Sequence, residues 1–266
     1  MEKTIIAWTD HTFNIAWGCT KVSPGCKNCY ADTLSRRYGH DVWGPQADRR
    51  TFGDKHWSEP IKWNERAEAG RKRVRVFSSS MCDIFEDHPV IALERDKLWD
   101  LIRETPWLDW QLLTKRADRI SENLPADWTR AGWPNVWLGV SIENIDYAWR
   151  ADHLRKIPAV VRFVSYEPAL GPLDDLSLRG IDWVIYGGES GPGYRQHDLD
   201  WPRIMLMKCA ELGAAFFFKQ SAAPRTEMGI ELDGRLVRYW PTPRPGSAQH
   251  PRIVAGRQPQ LMAAAR

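Results

Sequence analysis

The chain has 266 residues, of which 43% are hydrophobic and 27% charged, with a formal net charge of +3 and five cysteines. That length supports a large core in one domain of α/β-barrel size, and so small a net charge gives no argument for nucleic acid by itself. No apolar run approaches the roughly 20 residues needed to cross a bilayer, and the opening Met-Glu-Lys-Thr-Ile-Ile-Ala-Trp lacks the plan of a secretory signal. A cytoplasmic location is therefore expected. Thiols stay reduced there, so an odd number of cysteines points to a metal site rather than a disulfide framework.

In chain order, a weak strand around Thr12 to Ala16 feeds a loop carrying Cys19, Cys26 and Cys29, and a short helix follows. Residues 36–70, with Trp43, His56, Trp57 and Trp63, read as an insertion placed over the mouth of a site. Strand-like runs then alternate with helical patterns: Val74–Phe77 with a helix over Pro89–Glu104, Trp110–Leu113 with one over Ala117–Asn123, and Val136–Val140 with one over Ile145–Lys156. Val160–Val164 leads into a Pro-interrupted link, Trp183–Tyr186 precedes a helix over Pro202–Leu212, and Ala214–Phe218 ends the series. This alternation requires a parallel sheet with right-handed crossovers, either an open doubly wound sheet or a barrel. The expected class is α/β: residues 1–221 form a single partial or complete parallel (β/α) barrel, and residues 222–266 form a small C-terminal hairpin, with an Asp233-Gly234 turn, followed by a Pro/Arg-rich tail. After Asp233 the chain has no acidic residue but carries Arg235, Arg238, Arg244, Arg252, Arg257 and Arg266, which read as a solvated terminus or, alternatively, as contacts to phosphates.

The ends of the strands select the barrel. Each runs into polar residues: Ser78 to Asp83, Thr114 to Arg116, Ser141 to Asn144, Ser165 to Pro168, Gly187 to Gly191, and Lys219 to Ser221. In a parallel barrel these carboxyl ends converge on one rim, where active sites are built from several loops. One such residue is ordinarily a loop residue or a helix cap; six groups on the side of the thiols form a ring of candidates.

The thiols themselves have little packing value on a loop that also carries Gly18, Pro24 and Gly25. One soft metal centre accounts for the spacing better. Three thiolates leave a coordination position open, which in zinc chemistry holds water and on one iron of a [4Fe-4S] cluster can hold a second cofactor. A closed structural zinc site would add His11 or His40 as fourth ligand. Lys21 and Lys27, flanking the thiols, are expected to lower their pKa values. Cys209, inside a helical pattern, reads as a small core residue, and Trp99, Trp149 and Trp183 read as core aromatics. Trp43, Trp57 and Trp63 are left as candidate substrate contacts.

The segments Trp8-Thr-Asp10, Trp17-Gly-Cys-Thr-Lys-Val-Ser-Pro-Gly-Cys-Lys-Asn-Cys-Tyr-Ala31, Ser80-Met-Cys-Asp-Ile-Phe85, Leu113-Thr-Lys-Arg116, Leu138-Gly-Val-Ser-Ile-Glu-Asn144, Glu167-Pro168, Gly187-Gly-Glu-Ser-Gly-Pro192 and Phe218-Lys-Gln220 resemble a phage- and bacteria-encoded three-cysteine-motif family of unassigned function. Its members are similar to radical S-adenosylmethionine (SAM) enzymes. The resemblance implies a [4Fe-4S] cluster on Cys19, Cys26 and Cys29, with the open iron chelating SAM to generate a 5′-deoxyadenosyl radical. It departs from most such enzymes in its C-x6-C-x2-C spacing and in Asn28, which stands where an aromatic is usual. Cys82 and Ser221 also depart from the family pattern and are credited with no role.

By the same resemblance, Ser80 and Asp83 are expected at the methionine end of SAM, Ser141, Glu143 and Asn144 at its ribose or carboxylate, and Gly187 and Gly188 where backbone approaches it closely. Glu189, Lys115, Arg116, Glu167 and Lys219 would face the substrate, with Glu189, Lys115, Glu167 and Lys219 as the catalytic candidates. The plainer alternative is a ring of structural ion pairs in the barrel mouth. The substrate is open, with nucleic acid a candidate from similarity to a DNA-lesion lyase, and an external electron donor is required. The competing function is a non-catalytic, zinc-stapled barrel that binds nucleic acid or a partner protein.

Overall fold

The structure, a computed structural model, describes residues 4–128 and 130–244. Seven parallel strands lie in chain order: β1 (His11–Phe13), β2 (Val74–Ser78), β3 (Leu108–Thr114), β4 (Val136–Ser141), β5 (Val161–Tyr166), β6 (Trp183–Gly187) and β7 (Ala215–Gln220). The sheet curls into a half-barrel with helices between its strands. These are α1 (Tyr30–Arg37), α2 (Asp54–Trp57), α3 (Glu59–Ala69), α4 (Pro89–Glu104), α5 (Trp149–Lys156) and α6 (Asp200–Leu212). Among the described residues no helix is long and apolar enough to cross a membrane.

Strands β4 and β6 are buried at every position, as expected where a parallel sheet is covered on both faces. Alternation decides which face each side chain serves. Phe216 and Phe218 join the layer between sheet and helices, with Ile91, Leu98 and Met205, whereas Phe217 points to the concave side. That concave side holds its own cluster of Trp8, Phe77, Trp137, Phe163, Trp183 and Phe217, to which the helices contribute nothing. Trp8 packs at a tilt against Phe77 at 4.5 Å and edge-on to Trp183 at 6.0 Å, filling the curl at its amino end.

Helix α4 coincides with the span expected from sequence. Pro89 occupies its first turn, where no N–H is needed, and His88 Nδ1 accepts the Val90 N–H at 3.3 Å. The stretch Ala117–Asn123, expected as a helix, is instead two 3₁₀ turns, Ala117–Arg119 and Ser121–Asn123. The span Ile145–Lys156 divides into a 3₁₀ turn, Ile145–Tyr147, and α5.

The insertion divides: in its first half Trp43 and Arg50 pair with Cys19 and Trp17 of the cysteine loop, so only that half lies at the mouth. Its second half is α3, which buries Trp63 in the helix layer and packs against α4 and β3 as the crossover between β1 and β2. Trp57 is partly buried against Phe13, so neither tryptophan lies free for a substrate. Trp99 and Trp183 are core as expected, but Trp149 is 40% exposed, edge-on to His153.

Past β7 the chain turns back. Leu232 and Arg235 exchange backbone hydrogen bonds around Asp233 and Gly234, both at positive φ, which is the two-residue hairpin turn that Asp-Gly favours. Arg238 then pairs antiparallel with Phe217, and Leu232 and Val237 bury their side chains in the helix layer. Two tail cations are engaged rather than solvated: Arg238 pairs with Glu227 at 3.4 Å and Arg244 with Asp182 at 3.0 Å. Arg252, Arg257 and Arg266 lie outside the described residues.

Candidate metal and cofactor site at the barrel mouth

The cysteine loop lies across the carboxyl ends of the strands and is fastened there by residues of nearly every strand end. At its start Trp17 exchanges backbone hydrogen bonds with Arg50, and the Gly18 N–H reaches Met81 O at 3.0 Å. The Thr20 N–H donates to Glu86 at 2.7 Å. The middle of the loop is a 3₁₀ turn, Pro24–Cys26, seated on Glu143: Ser23 Oγ donates to its carboxylate at 2.5 Å. A Cβ at Gly25 would stand 2.4 Å from Glu143 Oε1, so only glycine allows this approach. Near the end, Asn28 Nδ2 donates to Glu189 at 2.9 Å, Arg195 Nη2 to Pro24 O at 3.0 Å, and the Tyr30 hydroxyl to Ser80 O at 2.9 Å. Cys29 then starts α1, its carbonyl accepting the Thr33 N–H at 3.2 Å.

The three thiols are half-buried and have different neighbours. Cys19 Sγ faces the Arg116 guanidinium at 3.6 Å, Cys26 Sγ lies 3.7 Å from Ser23 Oγ, and the Cys29 sulfur meets the Ala31 and Asp32 N–H groups at the start of α1. Burial pushes the Cys19 and Cys29 thiols up, against the pull of Arg116 and of those amides. Flanking lysines do not reverse this. Lys21 is drawn off to Asp32 at 2.8 Å, and burial outweighs the rest. Neither sulfur holds a free thiolate at neutral pH, whereas a bound metal would displace the proton.

Among the described residues no three of His, Cys, Asp and Glu are gathered as ligands of a single ion, which would bring sulfurs to about 4 Å of one another. The histidines named for a closed zinc site are placed elsewhere: the His11 ring stacks on Trp63 at 4.4 Å and His40 lies edge-on to Trp17 at 5.7 Å. The donor set, three cysteine sulfurs on one loop at the mouth, fits a thiophilic cofactor.

The strand-end residues expected around SAM and substrate all lie at this end, and most are committed to one another. Asp83 accepts from Thr114 Oγ1 at 2.7 Å and Arg116 Nη1 at 3.0 Å. Glu143 is 0% exposed and accepts from Arg150 Nη1 at 2.8 Å, with Lys115 Nζ 3.9 Å away. Arg150 also donates to Ser141 O at 2.8 Å. Glu189 binds Arg195 besides Asn28; burial raises its carboxyl, but these hydrogen bonds outweigh that and hold it below the usual carboxylate range. Lys219 pairs with Glu167, which lies near Tyr30. Ser80 Oγ donates to Asn14 Oδ1 at 3.3 Å. Asn144 differs: its Oδ1 is buried without a partner among the described residues.

Gly187 and Gly188 serve close packing within the protein. A Cβ on Gly187 would meet Glu167 at 2.8 Å, and one on Gly188 would meet the Ala222 backbone nitrogen at 2.2 Å. Clefts of about 370 Å³ beside Phe52 and His56, and about 220 Å³ beside Arg103 and Trp133, are lined by none of these residues.

Several residues of the site were missed in the sequence. Arg49 is fully buried, with Nε 2.9 Å from Glu86, yet its segment has no periodicity to reveal that. Arg195 follows a Gly-rich turn without pattern, and Arg150 sits in a helix where it reads as a surface cation. Glu86 had a usable signal: it follows Asp83 on the same post-strand segment.

Fold and site together define a parallel α/β half-barrel protein with a thiol-bearing loop fastened across its carboxyl mouth. The chain belongs to the family described as "Protein of unknown function (DUF5131)", which it matches over residues 3–241. No curated protein and no solved structure matches it.

Proposed function

We propose that this protein is a radical SAM-type iron-sulfur enzyme of the cytoplasm, with Cys19, Cys26 and Cys29 as the ligands of a [4Fe-4S] cluster. One observation carries the reading: the only three clustered cysteines lie on a loop held over the rim where a parallel barrel builds its active site. Three thiolates would leave one iron free for the amino and carboxylate groups of SAM, and the bound pair would supply one-electron cleavage of SAM and hydrogen abstraction from substrate.

The residues of the chain divide into three roles. Asp83, Glu143 and Glu189 brace the loop through Arg116, Ser23 and Asn28, and a direct hand in holding SAM would require them to exchange those partners. Ser80, Ser141 and Asn144 supply the groups for SAM, the unpartnered Asn144 Oδ1 foremost, since a buried acceptor without a donor calls for one. Lys115, Glu167 and Lys219 line the rim as groups that position a substrate. Nucleic acid is the candidate substrate class, and an external one-electron donor is the required partner.

The test is anaerobic reconstitution followed by dithionite and SAM. A brown, four-iron protein whose reduced EPR signal changes with SAM, and which releases 5′-deoxyadenosine and methionine, is the expected result. A colourless protein with one zinc, or a four-iron protein indifferent to SAM, overturns it.

A further inference from the structure

Of the three thiols, Cys19 alone has a buried cation on its sulfur. Arg116 leaves the end of β3 with its side chain 10% exposed and reaches Cys19 Sγ at 3.6 Å, Asp83 at 3.0 Å, Glu86 at 3.3 Å and Thr20 O at 2.8 Å. Glu86 is in turn held by Arg49, whose side chain is 0% exposed and whose Nε and Nη2 both donate to it at 2.9 Å. Arg49 directs its remaining hydrogens to the carbonyls of Val42, Gly44, Ala47 and Asp48 and to Thr20 Oγ1. Two carboxylates and two guanidiniums are thus closed into a network of zero net charge against one cysteine sulfur.

Such a network is costly to bury, and apolar side chains of similar volume would hold a loop at less cost. What apolar side chains cannot do is present a fixed positive charge to a sulfur. Hydrogen bonds and charge at cysteine sulfurs are among the factors that set the potential of an iron-sulfur cluster.

Resting on the cluster reading above, we propose that Arg116 is a positioning residue that sets the reduction potential at the Cys19 sulfur, with Asp83 and Glu86 holding its guanidinium in place. When an external one-electron donor delivers its electron, Arg116 stays protonated and offsets the added negative charge, so no proton need accompany the electron. Cys26 faces a hydroxyl, and Cys29 faces backbone amides with the charge of Lys115 nearby, but neither has a guanidinium hydrogen-bonded to its sulfur as Cys19 has.

The test is an EPR-monitored redox titration of the reconstituted holoprotein. Arg116→Gln leaves Asp83 and Glu86 with one uncompensated negative charge and is expected to make reduction at least tenfold less favourable, a shift of about 59 mV downward for a one-electron couple. Arg116→Lys keeps the charge and is expected to move the potential by less than half as much. Glu86→Gln removes a negative charge and is expected to move it upward. A purely structural clip would not produce shifts of opposite sign. Four irons in Arg116→Gln with an unchanged potential, or shifts of the same sign in Arg116→Gln and Glu86→Gln, overturn the inference and leave the cluster reading standing. If Arg116→Gln holds no iron, the other two variants decide: an upward shift in Glu86→Gln with a value near wild type in Arg116→Lys supports it, and any other pattern overturns it. Wild-type protein that takes up no iron overturns both.

Discussion

The two ends of the half-barrel are built by opposite means. At the amino end the concave face is aromatic: Trp8, Phe77, Trp137, Phe163, Trp183 and Phe217 fill it, and Trp183 contributes its indole N–H to Tyr239 O at 2.9 Å. At the carboxyl end the same face carries buried charge, with Arg116, Asp83, Glu86 and Arg49 in one network and Glu143 with Arg150 in another. Aromatic burial stabilises through the large apolar area each ring removes from water, whereas buried ion pairs recover little net stability and fix positions. Stability is therefore concentrated at one end and arrangement at the other, as in barrels whose chemistry sits at the carboxyl rim.

Breaking the charged end is expected to have the largest combined effect, on stability and on the cysteine loop together. Arg150→Ala leaves Glu143 buried beside only Lys115 and the Ser23 hydroxyl, at a cost of about 3–5 kcal/mol in urea unfolding. It is also expected to loosen the cysteine loop, read as a lower iron content after reconstitution. Trp183→Ala is the counterpart at the aromatic end, and removing this fully buried ring also costs about 3–5 kcal/mol. Its iron content per folded chain is expected to match wild type. If both variants lost iron equally, the division between the two ends would be wrong.

A smaller effect sharpens the boundary of the mouth. Gly188→Ala drives a methyl against the Ala222 backbone nitrogen, and over-packing of this kind costs about 1–3 kcal/mol, readable in the same unfolding experiment. If SAM rather than protein backbone fills that space, stability would instead be unchanged and SAM affinity would fall.

The smallest effect is one of pH. Because the folded-state pKa of Glu189 is depressed below its ordinary 4.5, its latch on Asn28 and Arg195 contributes fully above that value and is lost as pH falls through the lower folded value. The urea midpoint of wild type should exceed that of Glu189→Gln at neutral pH, and the gap should close in acid below 4.5. A gap that widened in acid would contradict the assignment.

The helix and strand series was legible wherever long-range packing agreed with local pattern. Helix α4 has a proline in its first turn and apolar residues at helical spacing, so its limits stood in the sequence. Strand β1 was faint because only three residues pair, and with one neighbour. The 3₁₀ turns over Ala117–Asn123 read as a helix because the two differ in hydrogen bonding, not in composition. At the site, the polar strand ends were visible individually, but their partners were not. Arg116 meets Asp83 across 33 residues, and the contacts that seat the loop reach farther, Ser23 to Glu143 across 120 and Asn28 to Glu189 across 161, so no local spacing encodes them. Arg49 shows the limit most plainly, as a buried arginine whose sequence neighbourhood is that of a surface loop.

The most direct test of the central claim compares two single cysteine variants. Cys26 lies on the loop at the mouth, whereas Cys209 is buried in α6. Iron and labile sulfide are measured per chain after anaerobic reconstitution of Cys26→Ala and Cys209→Ala beside wild type. The account predicts a four-iron cluster in wild type and Cys209→Ala and its loss in Cys26→Ala. Equal iron in the two variants, or one zinc and no iron in all three, would contradict it.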